Sequence, residues 1–184
     1  MAVGPDARHI ALGPEVGARI QSRENVLLYY MILSGTLLSA ALTNPDRVEF
    51  ALAIPYLALA TALLGAHHDL ILGLLNDFMS EMTRDSTGPL WHHDERYYPR
   101  AMRFRTIRDL GAGFFMVFSV GVALFVTQTD VSGHKPTPLL SVLWWGGMTC
   151  GAGVVALMVL TWGIRNQRRF ARWFWSIPDS QPKS

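Results

Sequence analysis

From residue 26 to 43, and again from 139 to 163, the chain carries no Asp, Glu, Lys or Arg. Two further runs, 50–66 and 110–127, are equally free of charge. Each is near or above the roughly 20 residues that a helix needs to cross about 30 Å of hydrocarbon. Soluble core helices normally keep one charged face toward water, so helices without such a face are suited to lipid. Half of the 184 residues are hydrophobic and the mean hydropathy is +0.21, which is too apolar for an ordinary soluble domain of this length. The predicted fold is all-α, an integral membrane protein with four transmembrane helices.

Charge orients the spans. Of the 16 Lys and Arg residues, all but Arg47 and Lys135 lie before the first run, between the second and third, or after the fourth. The positive-inside rule therefore places both termini and the long middle loop in the cytoplasm, an N-in/C-in arrangement for a cell inner membrane. The N-terminal residues hold Pro5, Pro14 and several charges, not the basic and then apolar pattern of a signal peptide. Three regions follow: a cytoplasmic N-terminal segment at 1–25, a transmembrane domain at 26–163 with a cytoplasmic loop at 84–108, and a basic amphipathic tail at 164–184.

The second span continues without a breaker into a polar extension, so a single helix is expected from about 48 to 83. At about 1.5 Å per residue it measures roughly 50 Å, and about a third of it stands outside the bilayer. Beyond Ala66, a 100° repeat lines up Asp69, Gly73, Asn76, Asp77 and Ser80 on one face, with Leu70, Ile71, Leu74, Leu75, Phe78 and Met82 on the other. Pro55 interrupts the backbone ladder and predicts a kink. Pro14 and Glu15 fit the first turn of a helix leading into the membrane, and Pro99 fits the start of the helix feeding span three. Tyr29 and Tyr30 read as interface anchors. In helix four, Gly147-xxx-Gly151 and Ala152-xxx-Ala156 are small-xxx-small pairs that permit close helix packing, within one chain or between copies. Cys150 is the one cysteine, so no intrachain disulfide forms.

Three groups of residues suggest chemistry. Asp69 falls at the inner membrane boundary, where a carboxylate pairs with a neighbouring arginine or lines a watery vestibule; around an oligomer axis, rings of Asp69, Asn76 and Asp77 favour cations. In the middle loop, Arg96, Arg100 and Arg103 with Trp91, Tyr97 and Tyr98 suit an anion such as a nucleotide or oligonucleotide, although topology alone already demands positive charge there. The duplicated triplets His67-His68-Asp69 and His92-His93-Asp94 supply metal-competent side chains. Within helix two, however, His67 and Asp69 lie about 200° apart and no chelate closes. No nucleophile motif, phosphate loop or pair of catalytic carboxylates is present, so neither enzymatic activity nor a cofactor is expected.

Arg23-Glu24-Asn25 at the entry to span one, and His67-His68-Asp69-Leu70 ahead of an amphipathic helix, resemble small bacterial multi-span membrane effectors of nucleotide-signalling anti-phage systems, over about a third of the chain. The resemblance implies an oligomer held inactive until a cytoplasmic cue opens it or disturbs the bilayer. Four spans enclose little room for a conduction path, so the expected function is a homo-oligomeric gated pore or membrane-perturbing protein, in contact with lipids and with a cytoplasmic nucleotide, oligonucleotide or protein regulator. The alternative is a non-conducting anchor or assembly subunit that docks a partner through the helix-two extension.

Overall fold

A computed structural model describes the backbone of residues 5–82, 98–131 and 138–175, and the side chains of 13–44, 48–75, 106–128 and 138–163. The described residues form four α-helices, α1 (Pro5–Thr43), α2 (Ala53–Met82), α3 (Tyr98–Val131) and α4 (Pro138–Trp175), with a 3-10 segment, η1 (Pro45–Leu52), between the first two. Four stretches are long and apolar enough to cross a membrane: Gly13–Thr43 in α1, Val48–Leu75 across the end of η1 and α2, Thr106–Gln128 in α3 and Pro138–Gly163 in α4.

Two helix starts differ from the sequence expectation. The first helix starts earlier than Pro14: α1 runs unbroken from Pro5 and contains Pro14 in its interior. Helix two begins at Ala53, so Pro55 sits in its first turn instead of kinking its middle. The physical reason is the proline ring, which clashes with the carbonyl four residues back and prevents α-geometry from running through from 48. In the first turn its missing N–H costs nothing. The chain ahead of it tightens into η1, whose eight residues exceed the usual length of a 3-10 run. Pro99 likewise lies in the first turn of α3.

The helices pack as a rhombus. α2 lies along α1 and α4 and also reaches α3, α3 lies along α4, and α1 and α4 sit on opposite sides without close backbone approach among the described residues. α1 and α3 approach each other least of the pairs that touch, because η1 is wedged between them at one end. Ala51 of η1, Ile54 of α2, Ala41 of α1 and Ala123 of α3 are all buried there, and Leu52 of η1 is buried against the rest of the core. Small side chains are what allow a wedge to fit between two helices. The remaining core joins Tyr30, Ala58, Met116, Val120, Leu124 and Val154. Most other large apolar side chains point outward, among them Ile32, Leu63, Phe114, Phe118, Phe125, Trp145 and Leu160. Without lipid around it such a surface would be unstable in water.

α4 carries two different small-residue faces. Gly147 turns inward, where an added Cβ would meet Leu124 and Pro55 at 3.3 Å, and Gly151 turns toward Val120 at 3.0 Å. Ala152 and Ala156 are exposed on the opposite side. α1 has a comparable outward strip of Gly35, Thr36, Ser39 and Thr43. Its hydroxyls return to the helix itself: Thr36 donates to the Ile32 carbonyl and Thr43 to that of Ser39, both at 2.8 Å.

Candidate functional site: a charge cluster bridging three helices

The end of the bundle opposite η1 is held by charge. Arg23 of α1 donates through Nη1 to Asp69 Oδ1 of α2, and through Nη2 to Asp109 Oδ1 of α3 at 3.1 Å. Arg108 extends the cluster: its Nη2 donates to Asp109 Oδ1 at 3.2 Å, and its Nη1 lies 3.5 Å from Glu24 Oε1 of α1. The three central side chains are mostly removed from water, with exposures of 15% for Arg23, 17% for Asp69 and 24% for Asp109. Arg108 and Glu24 are far more open, at 42% and 59%.

Local sequence explains this convergence. Arg23 lies ahead of the first uncharged run, Asp69 follows the second, and Asp109 precedes the third, so three antiparallel passes bring these residues to the same level. A guanidinium presents donors on two edges and holds two carboxylates at once, which a lysine ammonium does with less directional control. In a low-dielectric setting an isolated charge costs several kcal/mol, and convergence of opposite charges offsets that cost.

One further polar link lies about two turns deeper. Ser119 spends its single hydroxyl proton on the Met116 carbonyl at 2.9 Å, so the Tyr30 hydroxyl is the donor to Ser119 Oγ. Tyr30 is therefore a core residue at 2% exposure, its ring edge-on to Phe115, and only Tyr29 keeps the outward position expected of an interface anchor. An aromatic near a span end has two possible destinations, interface or core, and only the partner hydroxyl on α3 distinguishes them.

The structure places the other sequence candidates as follows. Asp69 pairs with Arg23, while Leu70 and Leu74 of the apolar face of α2 are exposed. His67 and His68 stack edge-on at 5.9 Å, and His68 Nδ1 is buried without a hydrogen-bond partner. Among the described residues no group of three His, Cys, Asp or Glu side chains is placed to hold a metal ion. Asn76 and Asp77 lie on the α2 backbone, and Tyr98, Arg100 and Arg103 on that of α3, with side chains outside the described set. Trp91, His92, His93, Arg96 and Tyr97 lie outside the described residues altogether. Sequence reading missed Arg23, Asp109, Arg108 and Glu24 as site residues. The available signal was that each stands within a few residues of an uncharged run, at the same end of the antiparallel order.

Comparison with protein-family models, with curated proteins and with solved structures finds no match to any of them.

Proposed function

We propose that the chain is the repeating unit of a homo-oligomeric membrane assembly that opens a path, or perturbs the bilayer, under control of the layer containing Arg23, Asp69 and Asp109. The observation that carries this reading is the guanidinium shared by carboxylates of two other helices at one end of an otherwise apolar bundle. Buried charge at the end of a span is costly, and it is characteristic of sites where helices change relative position or where ions pass. The interior of the single chain is filled by apolar side chains, so a conducting path runs between copies. The outward strips on α1 and α4 suit close helix contact between those copies.

In the same reading the charged layer faces the cytoplasm with both termini, because most of the basic residues share that side. The end of α2 and the arginine-rich stretch that follows it in sequence are the part of the chain that receives a regulator. A nucleotide or oligonucleotide suits the arginines and aromatic residues at 91–103, in line with the resemblance to anti-phage effectors.

Purified chain in vesicles, assayed for release of an entrapped ion indicator, tests the proposal. Wild-type vesicles are expected to hold their contents, and Arg23→Gln to raise leakage about tenfold or more by shifting the closed-to-open population. Tight vesicles with both proteins, together with a strictly monomeric chain in detergent, would replace this reading with that of a non-conducting anchor. Reporters fused to the two ends and read from opposite compartments would overturn the orientation.

A further inference from the structure

α1 and α3 are joined in two different ways along their length. At the η1 end an apolar wedge fills the space between them, with Ala51 and Ile54 buried against Ala41 and Ala123. Toward the other end, among the described residues, the helices are linked by polar side chains: Tyr30 to Ser119, Arg23 to Asp109, and Glu24 to Arg108. α1 meanwhile lies closely along α2. Among the described residues, α3 lies less closely along α1 than α2 does, and ion pairs from both Arg23 and Glu24 cross to it.

We propose that this seam is the one that opens: α1 swings away from α3 at the charged end, pivoting on the η1 wedge, while Arg23 stays paired with Asp69 of α2. Apolar contacts between close-packed small residues have short range and resist shear, which suits a pivot. Ion pairs reached partly by water are weakened by competing ions and by a charged ligand, which suits a latch. Loss of the Asp109 and Glu24 links unlatches the charged end of α1 from α3 without leaving Arg23 unpaired, and Tyr30 to Ser119 remains as the link nearer the pivot. The inference concerns regulation of the assembly proposed above, but its test reads distance and not leakage, so the two ideas fail separately.

Spin-label pairs in vesicles of mixed neutral and anionic phospholipid, measured by pulsed dipolar spectroscopy, provide that test. Cys150→Ser removes the native thiol, and labelled chain is diluted into unlabelled chain so that distances report within one copy. Exposed positions are at hand: Ile20 with Ile107 across the charged end, Leu42 with Phe125 at the wedge end, and Ile20 with Leu74 between α1 and α2. In Glu24→Gln/Asp109→Asn, the Ile20 to Ile107 distance is expected to lengthen by at least about 2 Å, the scale on which packed helices shift in switching proteins. The other two pairs stay within their wild-type distributions. A smaller shift of the same sign is expected in unsubstituted protein when salt is raised from 0.1 M to 1 M, where the screening length falls from about 10 Å to about 3 Å. An unchanged Ile20 to Ile107 distance under both treatments overturns the proposal, and so does an equal lengthening at the wedge end.

Discussion

The two ends of the bundle solve one problem, holding α1 at a distance from α3, with opposite chemistry. At the wedge the contact consists of alanines and an isoleucine from which water is excluded, and at the other end of ions that keep some of their hydration. In lipid, apolar side chains gain little from meeting one another, so a wedge is stabilised by close packing alone and responds to shape. The charged end responds to electrostatic conditions. The molecule thus confines its sensitivity to salt and charged ligands to one end and its sensitivity to side-chain volume to the other.

The most severe way to break this division is to remove the cation. Arg23→Gln leaves Asp69 and Asp109 without the guanidinium they share, and loss of one member of a buried ion pair costs about 3–5 kcal/mol, an upper bound here because the cluster is partly exposed. The measurement is thermal unfolding in detergent, followed by helical circular dichroism. Neutralising the carboxylates as well, in Arg23→Gln/Asp69→Asn/Asp109→Asn, is expected to recover more than half of that loss. A triple variant as unstable as the single one would show that Arg23 acts through packing and not through charge.

Next in size is the wedge. Ala51→Leu or Ala123→Leu overfills a site with no exposed surface, at a cost of about 1–3 kcal/mol. The cost is expected to be the same at 0.1 M and 1 M salt, whereas the deficit of Arg23→Gln should shrink as salt screens the orphaned carboxylates. A wedge variant with strong salt dependence would blur the distinction between the two ends.

These two regions were unequally legible in the sequence. Four uncharged runs separated by charged ones dictate four apolar helices, because no other arrangement shields so many consecutive apolar residues, and the helices are there. Asp69 drew attention for the same reason, a carboxylate at the edge of an apolar stretch. Its partner did not, since Arg23 reads as one of many arginines required by topology, and pairing across 46 residues depends on how α1 lies on α2. The wedge was hidden more completely. Residues 48–52 look like the start of a membrane helix, and only the steric demand of Pro55, combined with space left between α1 and α3, turns them into η1. Gly147-xxx-Gly151 and Ala152-xxx-Ala156 read as one packing face, but two small pairs offset by five residues point about 140° apart on a helix, so one pair packs inward and the other faces out.

A smaller effect sharpens the comparison from the middle of the seam. Tyr30→Phe removes one hydroxyl donor while keeping the ring against Phe115, and Ser119 retains its own bond to Met116. Hydrogen bonds between membrane helices average about 0.6 kcal/mol with a maximum near 1.7, so a loss in that range is expected by the same unfolding assay. A loss as large as that of Arg23→Gln would move the principal latch from the ions to this hydroxyl pair.

The smallest expected effect is the control on which the ionic reading depends. Arg19 and Glu15 form an ion pair on α1 one turn before Arg23, with Arg19 Nη2 at 2.8 Å from Glu15 Oε1, closer than the 3.1 Å between Arg23 and Asp109. The charges are alike, but this pair lies within one helix and is more exposed, at 29% and 46%. Exposed pairs four residues apart contribute about 0.3–0.5 kcal/mol, so Glu15→Gln should change unfolding by no more than that and leave the Ile20 to Ile107 distance unaltered. If Glu15→Gln moved that distance as Glu24→Gln/Asp109→Asn is expected to, total charge at this end would be controlling α1, and the specific bridge from Arg23 to two other helices would not.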